Sequence, residues 1–458
     1  MRRNKNRMEL FSIHDHVGMA AHMEKQARKG WLLEKIGNWT WRYRRVEPQN
    51  LKFAVTYFPP ASVFDPEPTE GERTFHDYCE QAGWKLAASN AQLQVFYTED
   101  SNPVPLETDA ILQVENIHAA ARKTLLLSQW LMGAIGLFYT ILWLVQFFEN
   151  PIGILSDYGG WFRAVAFSNL LLLCVVELAS YYRWHRKAQQ VAEETGQLHP
   201  TRSHRLFQTV SLTVSVSSLL IWFLVMQSQK TRIIAAVSFL NMTLLILVVR
   251  GCQMLMKRLG VSKTKAKVIT LAVDFALAFL LMGMLPRWVM SMDLSDKQPV
   301  ETYEYLGRTR EVYNDPLPLT VEDLMDVDPA MYSKVMERQK TPLAALYDGG
   351  QYLRKDAEED LPDLDYRLAI CAVPAWTEFC WNGWIEDYQQ EFPAYQRLRE
   401  EATAPWNAEE AYRIVYQDGG EGDWLIRWED RFVRLTADWE LTEEQMGRIA
   451  ASFLNYAE

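Results

Sequence analysis

The chain is poor in the residues that build soluble catalytic sites. Of its 458 residues only 5 are cysteine, too few for a disulfide framework. With 22 Gly and 19 Pro against 49% hydrophobic residues, collagen-like and disordered classes are excluded. There are 8 histidines and none follows His204, so everything beyond that point lacks a Ser-His-Asp triad or His-liganded zinc. No Gly-x-x-x-x-Gly-Lys phosphate loop, His-Glu-x-x-His, Gly-x-Ser-x-Gly or paired Cys-x-x-Cys occurs. No catalytic residue, cofactor or metal ligand is expected, and a hydrolase using carboxylate pairs alone is the one enzymatic option left.

Positive charge is scarce in the second part of the sequence. From Met292 onward there are 36 acidic and 16 basic residues, a net of −20, which leaves +9 for the rest. The basic surplus is not in the first 123 residues, which hold 16 of each sign. It surrounds the apolar segments, where a membrane topology would put it. A mean hydropathy of −0.18 conceals this, because apolar residues concentrate between Leu125 and Met290.

A helix needs about 20 apolar residues to cross a bilayer, and five stretches qualify, at about 125–148, 161–182, 206–229, 233–256 and 268–288. The first and third contain no charge. The second and fifth each carry one acid, Glu177 and Asp274, which would cost about 2.5–3.5 kcal/mol at the bilayer centre and less near a basic flank. Ser211, Ser215 and Ser218 recur on one face of the third, a pattern that lets helices pack closely.

The loop after the second stretch holds Arg183, Arg186, Lys187, Arg202 and Arg205, and that after the fourth holds Arg250, Lys257, Arg258, Lys263, Lys265 and Lys267. Both are expected at the cytoplasmic face, giving a cytoplasmic N-terminus, five crossings and an extracellular C-terminus. Trp143, Trp161, Trp222 and Trp288 fit an aromatic belt. Residues 1–11 contain no apolar core, so no cleavable signal peptide is expected there.

Residues 1–108 alternate between helical and strand periods and read as a small α+β module, followed by a connecting helix over 109–124. Helix His16–Lys29 ends at Gly30, and a second helix ends at Gly83; each glycine is followed by tryptophan, Trp31 and Trp84, at the start of a strand. The segments "EKQARKGWLLEKIG" (Glu24–Gly37), "WTWRYRR" (Trp39–Arg45) and "FHDYCEQAGWKLAASNAQLQVFYTED" (Phe75–Asp100) resemble domain-of-unknown-function family 2812, over about residues 10–123. The resemblance implies a cytoplasmic module joined to transmembrane helices, in Gram-positive bacteria and often near PadR-type regulators, with no established activity and no catalytic residue to carry over. The long Pro-rich loop Pro59–Pro68 departs from the family pattern.

Residues 291–458 read as an acidic, aromatic-rich α+β extracellular domain. A β-meander is expected over Tyr412–Leu435 with a turn at Asp418–Gly422, and a terminal helix begins at the capping pair Thr442 and Gln445. Tyr303–Tyr313 reads as a tether and Val321–Met336 as a helix. Cys371 and Cys380 are either bonded or buried free thiols. The acidic run Asp356, Glu358, Glu359, Asp360, Asp363 and Asp365 lacks the spacing of a calcium loop and reads as a solvated face.

Two site hypotheses follow. Glu177, Asp274 and the serine face Ser211, Ser215 and Ser218 could form an intramembrane polar site. Trp31, Trp84, Trp376, Trp381 and Trp384 could present aromatic surfaces to partners, although core packing is the expected role for such residues. The fold class is thus a multi-domain membrane protein with a five-helix bundle between two α+β domains. The expected function is a non-enzymatic sensor or regulatory scaffold in the cell membrane, with the lipid bilayer, a cytoplasmic protein and an extracellular ligand as partners and no direct binding of nucleic acid. A transport or efflux component using Glu177 and Asp274 is the alternative.

Overall fold

The structure is a computed structural model that describes every residue except 1–3, 38–39, 63, 66–67, 202–203, 226–228, 292–296, 358–360, 392–395, 417–419 and 457–458. The chain divides into two compact units. The first comprises Met1–Phe138, Ala166–Leu220 and Ile233–Asp293; the second comprises Tyr139–Val165, Ile221–Arg232 and Leu294–Glu458.

The first unit begins with β1 (Asn4–Arg7), α1 (His16–Arg28), β2 (Trp31–Ile36), β3 (Trp41–Arg45), β4 (Lys52–Tyr57), α2 (Glu70–Gln81), β5 (Lys85–Asn90) and β6 (Leu93–Thr98). These are two copies of one unit. Each runs strand, helix, strand, strand, and each places its last strand in the middle of a three-stranded sheet, β1-β3-β2 and β4-β6-β5. Both hairpins carry a bulge, at Leu33/Lys35 and at Leu86/Ala88. Helix α1 is started by the Asp15 carboxylate, which accepts from the Gly18 amide at 3.1 Å. Both helices end on a glycine in the left-handed region, Gly30 at φ 77° and Gly83 at φ 86°. At Gly30 a Cβ would also lie 2.7 Å from the Val46 carbonyl oxygen, so that corner requires glycine twice over.

Strand β1 belongs to the module although its sequence, Asn-Lys-Asn-Arg, has no apolar alternation. It is an exposed edge strand whose register is set by pairing with β3. After the module come α3 (Ala110–Ala121), a π-helical turn over Arg122–Leu126, α4 (Leu127–Glu149), α5 (Pro151–Ser156), α6 (Tyr158–Thr195), α7 (Arg205–Val225), α8 (Gln229–Arg258) and α9 (Lys263–Ser291). Helix α6 continues well past the expected end at residue 182. The basic stretch with Arg183, Arg186 and Lys187, read from the sequence as loop, is therefore helical. The reason is packing: Tyr181, Trp184, Ala188 and Ala192 on α6 share one core with Met23, Leu33, Tyr43, Val95 and Ile117 of the module.

Among the described residues, four helices, in α4, α6, α7 and α8, are long and apolar enough to cross a membrane. Their apolar side chains mostly stay exposed, as with Leu131, Phe138, Leu172, Leu220 and Leu240, which is the arrangement lipid requires and water opposes. Helix α9 is a fifth long helix, and it contains the sequence-expected span 268–288.

In the second unit the hairpin β7 (Glu301–Tyr305) and β8 (Arg308–Val312) occupies the expected tether. The expected helix over Val321–Met336 is also corrected: only two 3-10 turns form, followed by β9 (Tyr332–Lys340). Strands β10 (Ala344–Leu353), β11 (Leu364–Cys371), β12 (Gln396–Glu400), β13 (Glu410–Tyr416), β14 (Glu421–Arg427) and β15 (Arg431–Ala437) complete an antiparallel sheet in the order β12-β13-β14-β15-β11-β10-β9. Both faces are covered, and alternate residues choose between them. Tyr347, Tyr366, Ile426 and Val433 meet α11 (Glu443–Asn455) through Ile449, Ala450 and Phe453. Leu346, Ala369, Leu425 and Phe432 meet α10 (Pro374–Glu391) through Trp381 and Trp384, and α5 through Ile152 and Leu155. The terminal helix starts with the full capping box of Thr442 and Gln445. Cys371 and Cys380 are free buried thiols. Of the acidic run, Asp356 binds Arg354, Asp363 accepts from the Leu353 amide at 2.6 Å and Asp365 accepts from Tyr352; Glu358, Glu359 and Asp360 lie outside the described residues, as do Asp418 and Gly419 of the expected turn.

Candidate functional site

The richest arrangement of polar side chains in the first unit lies where the loop between β1 and α1 meets α6 and α7. The loop carries Glu9, Phe11, Ser12, His14 and Asp15. The Glu9 carboxylate is almost fully buried, with its side chain 1% exposed, and four groups surround it, among them the Tyr43 hydroxyl, which donates to Oε1 at 3.4 Å. His22 Nε2 on α1 donates to Oε1 at 2.9 Å, Arg205 at the start of α7 donates to Oε2 at 2.8 Å, and Arg7 is 3.5 Å away. Burial raises the carboxyl pKa, but the His22 hydrogen bond and the charges of His22, Arg7 and Arg205 outweigh it and hold it below the usual range. The Arg205 guanidinium also lies over the Phe11 ring, 4.0 Å from its centroid.

Two further bonds join the loop to the same helices. Gln208 on α7 donates to the Ser12 hydroxyl at 3.1 Å and to Glu177 Oε2 at 3.2 Å. Thr201, before α7, donates to Asp15 Oδ1 at 2.9 Å, so the carboxylate that starts α1 also binds the α6–α7 connection. His14 is inserted against α6. Its ring stacks on Trp184 at 5.5 Å, meets Tyr181 edge-on at 5.8 Å, and places Nε2 3.4 Å from the Ser180 hydroxyl. Nδ1 of His14 is buried without a hydrogen bond. Burial pushes this imidazole down to about 4, against a smaller opposing effect of Asp15 and with the help of His204 and His16. Nearby, His118 on α3 makes a 2.8 Å hydrogen bond with the Tyr181 hydroxyl and stacks on His185 at 4.2 Å.

Further along the same helix pair, Asn169 clamps α6 to α7. Its amide donates to the Ser211 carbonyl at 2.9 Å and the Ser215 hydroxyl at 2.8 Å, and its Oδ1 accepts from the Ser211 hydroxyl at 3.0 Å. Ser218 instead donates to the Ser215 carbonyl in its own helix. Among the described residues no hydrogen bond joins the two sequence-chosen acids. Glu177, 5% exposed, is held by Gln208, whereas Asp274 is on α9, its Oδ1 buried without a hydrogen bond. Asn169, Gln208 and Glu9 were not singled out in the sequence, and Arg205 was read only as a basic loop residue. The signal for Asn169 was a lone amide in an otherwise apolar run; the Glu9–Arg205 pair, far apart in the chain, has no local signature.

Of the candidate aromatic residues, Trp84, Trp381 and Trp384 are buried, while Trp31 and Trp376 keep part of their surface open. Trp84 is 4% exposed and donates to the Val104 carbonyl at 2.8 Å. Trp381 and Trp384 are core residues against Phe432. Trp31 is half-buried beneath Lys5 and Arg45, each 5.1 Å from its ring, and Trp376 is half-buried beside Phe379 and Phe147. The duplicated helix–Gly–Trp unit, its two bulged hairpins and the helix running into α4 are the features by which this segment can be compared with others. Residues 19–129 match the family described as Protein of unknown function (DUF2812). The DUF2812 segment runs from Met19 in α1 into α4, about a quarter of the chain. No curated protein and no solved structure matches this chain.

Proposed function

We propose that the chain is a membrane-embedded, non-enzymatic sensor or regulatory scaffold, in which the N-terminal module is cytoplasmic and engages a cytoplasmic protein while the acidic C-terminal domain is extracellular and meets an envelope ligand. The observation that carries this reading is the seam just described. Glu9, Ser12, His14 and Asp15 bind α6 and α7 through Arg205, Gln208, Ser180 and Thr201, and α6 completes the module's core. A displacement of those helices therefore has direct partners in the module. The basic residues flanking the helices support the orientation, by the bias of Lys and Arg toward the cytoplasm.

The test uses the full chain in lipid nanodiscs. Arg205→Gln removes one cation from a nearly buried carboxylate, and amide exchange in Glu9–Arg28 is expected to rise by about tenfold or more. Unchanged exchange in that segment would show that the helices do not control the module. Tags at the two termini, probed with protease on intact cells, test the orientation: only the C-terminal tag is expected to be cut. A second reading, a transport component, draws on the buried Asp274 Oδ1 that lacks a hydrogen bond. It requires that Glu177→Gln with Asp274→Asn alter the accumulation of some solute.

A further inference from the structure

The module contains a cavity of about 390 Å³ at the junction of its two sheets. Phe11 and Trp41, stacked at 5.5 Å, form one wall with Ile36; the turn between β5 and β6 supplies Asn90 and Gln92; Leu125 and Ser128, where the first apolar run begins, line it as well. The volume falls within the range of small-molecule sites. Gln92 is the informative residue. It is 7% exposed, it lines the cavity, and among the described residues its side-chain amide makes no hydrogen bond. The amide still reaches solvent, so a ligand that meets it exchanges water for a direct hydrogen bond. The turn that presents it is itself unusual, with Ala91 at φ 51°.

The charge of the occupant follows from Glu9. Glu9 lines the cavity, but its side chain is 1% exposed and its carboxylate is held by His22, Arg205, Arg7 and Tyr43, so it presents no uncompensated charge to an occupant of either sign. Apart from Tyr57, Asn90, Gln92 and Ser128 the remaining side chains of the walls are apolar and aromatic, and the first residues of a lipid-crossing helix form part of them. We propose that this cavity binds a neutral, mostly apolar molecule bearing one hydrogen-bonding group, which Gln92 recognises. The site is independent of the seam reading. Arg205 exchange can fail while the cavity binds, and the reverse.

The probe is 3-azioctanol, an uncharged alcohol that inserts covalently on illumination, applied to the full chain in nanodiscs, with labelled peptides located by mass spectrometry. Labelling at Phe11, Trp41 or Leu93 that saturates, and that excess 1-octanol displaces, is the expected result. Ser128→Trp, at an exposed helical position beside the cavity, should abolish that labelling while leaving the label on α7 and α8 unchanged. Gln92→Leu keeps the apolar volume and should weaken saturation by about fivefold, the weight of one hydrogen bond. Label confined to the apolar helices, or module labelling that neither saturates nor responds to Ser128→Trp, would overturn the proposal, as would equal saturation in wild type and Gln92→Leu.

Discussion

Acid should loosen the module from α6, and His14 sets both the sign and the size of the effect. The ring is 1% exposed, lies flat on Trp184, and has one nitrogen with no partner, so it is accommodated only as the neutral imidazole. Its pKa falls from the usual 6.5 to about 4 through burial. A histidine whose pKa is depressed on folding contributes its full stability above the unfolded value, near 6.5, and loses it as pH falls through the window between 6.5 and 4. Below that window the loss is constant. Protonating the ring in place is disfavoured by about 3 kcal/mol in all, of which about 2 kcal/mol is already felt at pH 5. That corresponds to a roughly thirtyfold rise in the equilibrium for opening the contact between pH 7.5 and pH 5. The groups facing the ring are Asp15 and His16 on its own segment, Ser180, Tyr181 and Trp184 on α6, and His204 before α7. Among them only Asp15 favours the charged form, and its effect is the smaller one. His16 is also held low by burial, so it adds to the acid sensitivity with the same sign. Amide exchange of residues 8–28 in nanodiscs, corrected for the intrinsic pH dependence of exchange, measures the opening directly. His14→Phe preserves the stack on Trp184 and removes the titration, so its protection should change much less across the same range. If wild type and His14→Phe show parallel pH dependence between 7.5 and 5, the burial argument is wrong.

Two other perturbations follow from single side chains. Asn169→Leu removes three hydrogen bonds between α6 and α7 and should destabilise that helix pair by about 1–2 kcal/mol, read as a lower detergent concentration for unfolding; no change would mean that apolar packing alone holds the pair. In the second unit Arg431 donates to the carbonyls of Phe453, Leu454 and Tyr456, closing the end of α11. Arg431→Met should cost about 2–3 kcal/mol and raise exchange in residues 443–456 by about thirtyfold or more, while leaving residues 8–28 unaffected.

What could be read from the sequence was local. Gly30 and Gly83 mark helix ends because a left-handed corner is a single-residue requirement, and Thr442 with Gln445 marks a helix start because a capping box spans four residues. The apolar runs are visible for the same reason. The failures share a cause too. Strand β1 is written in polar residues because an exposed edge needs a partner strand and not an apolar face. The stretch after residue 182 is basic yet helical because Trp184, Ala188 and Ala192 face the module's core on every third or fourth residue while Arg183, Arg186 and Lys187 point elsewhere. The strands β10 and β11 lack clear alternation because the sheet is covered on both faces. The acid pair Glu177 and Asp274 was chosen by counting charges in apolar runs. Counting amides as well would have drawn attention to Asn169.

The DUF2812 segment and the seam only partly coincide, and the difference bears on what the segment can do alone. The match begins at Met19 and ends at residue 129, so it contains both helix–Gly–Trp corners and both hairpins but excludes Glu9, Ser12, His14 and Asp15 on one side and Tyr181, Trp184, Arg205 and Gln208 on the other. The core nevertheless crosses those limits. Ile117 and Ala120 of α3 are fully buried in a cluster to which α6 contributes Leu178, Tyr181, Trp184, Ala188 and Ala192. An excised 1–123 would leave that apolar face open, and burial of two large aromatic side chains is worth about 2–3 kcal/mol each. The isolated segment should therefore be less stable than the same residues in the full chain, and a surface it offers to a partner in isolation would include the one that α6 covers. Partner capture with the full chain avoids that false surface. A protein held by 1–123 but not by the full chain would be bound to the exposed α6 site.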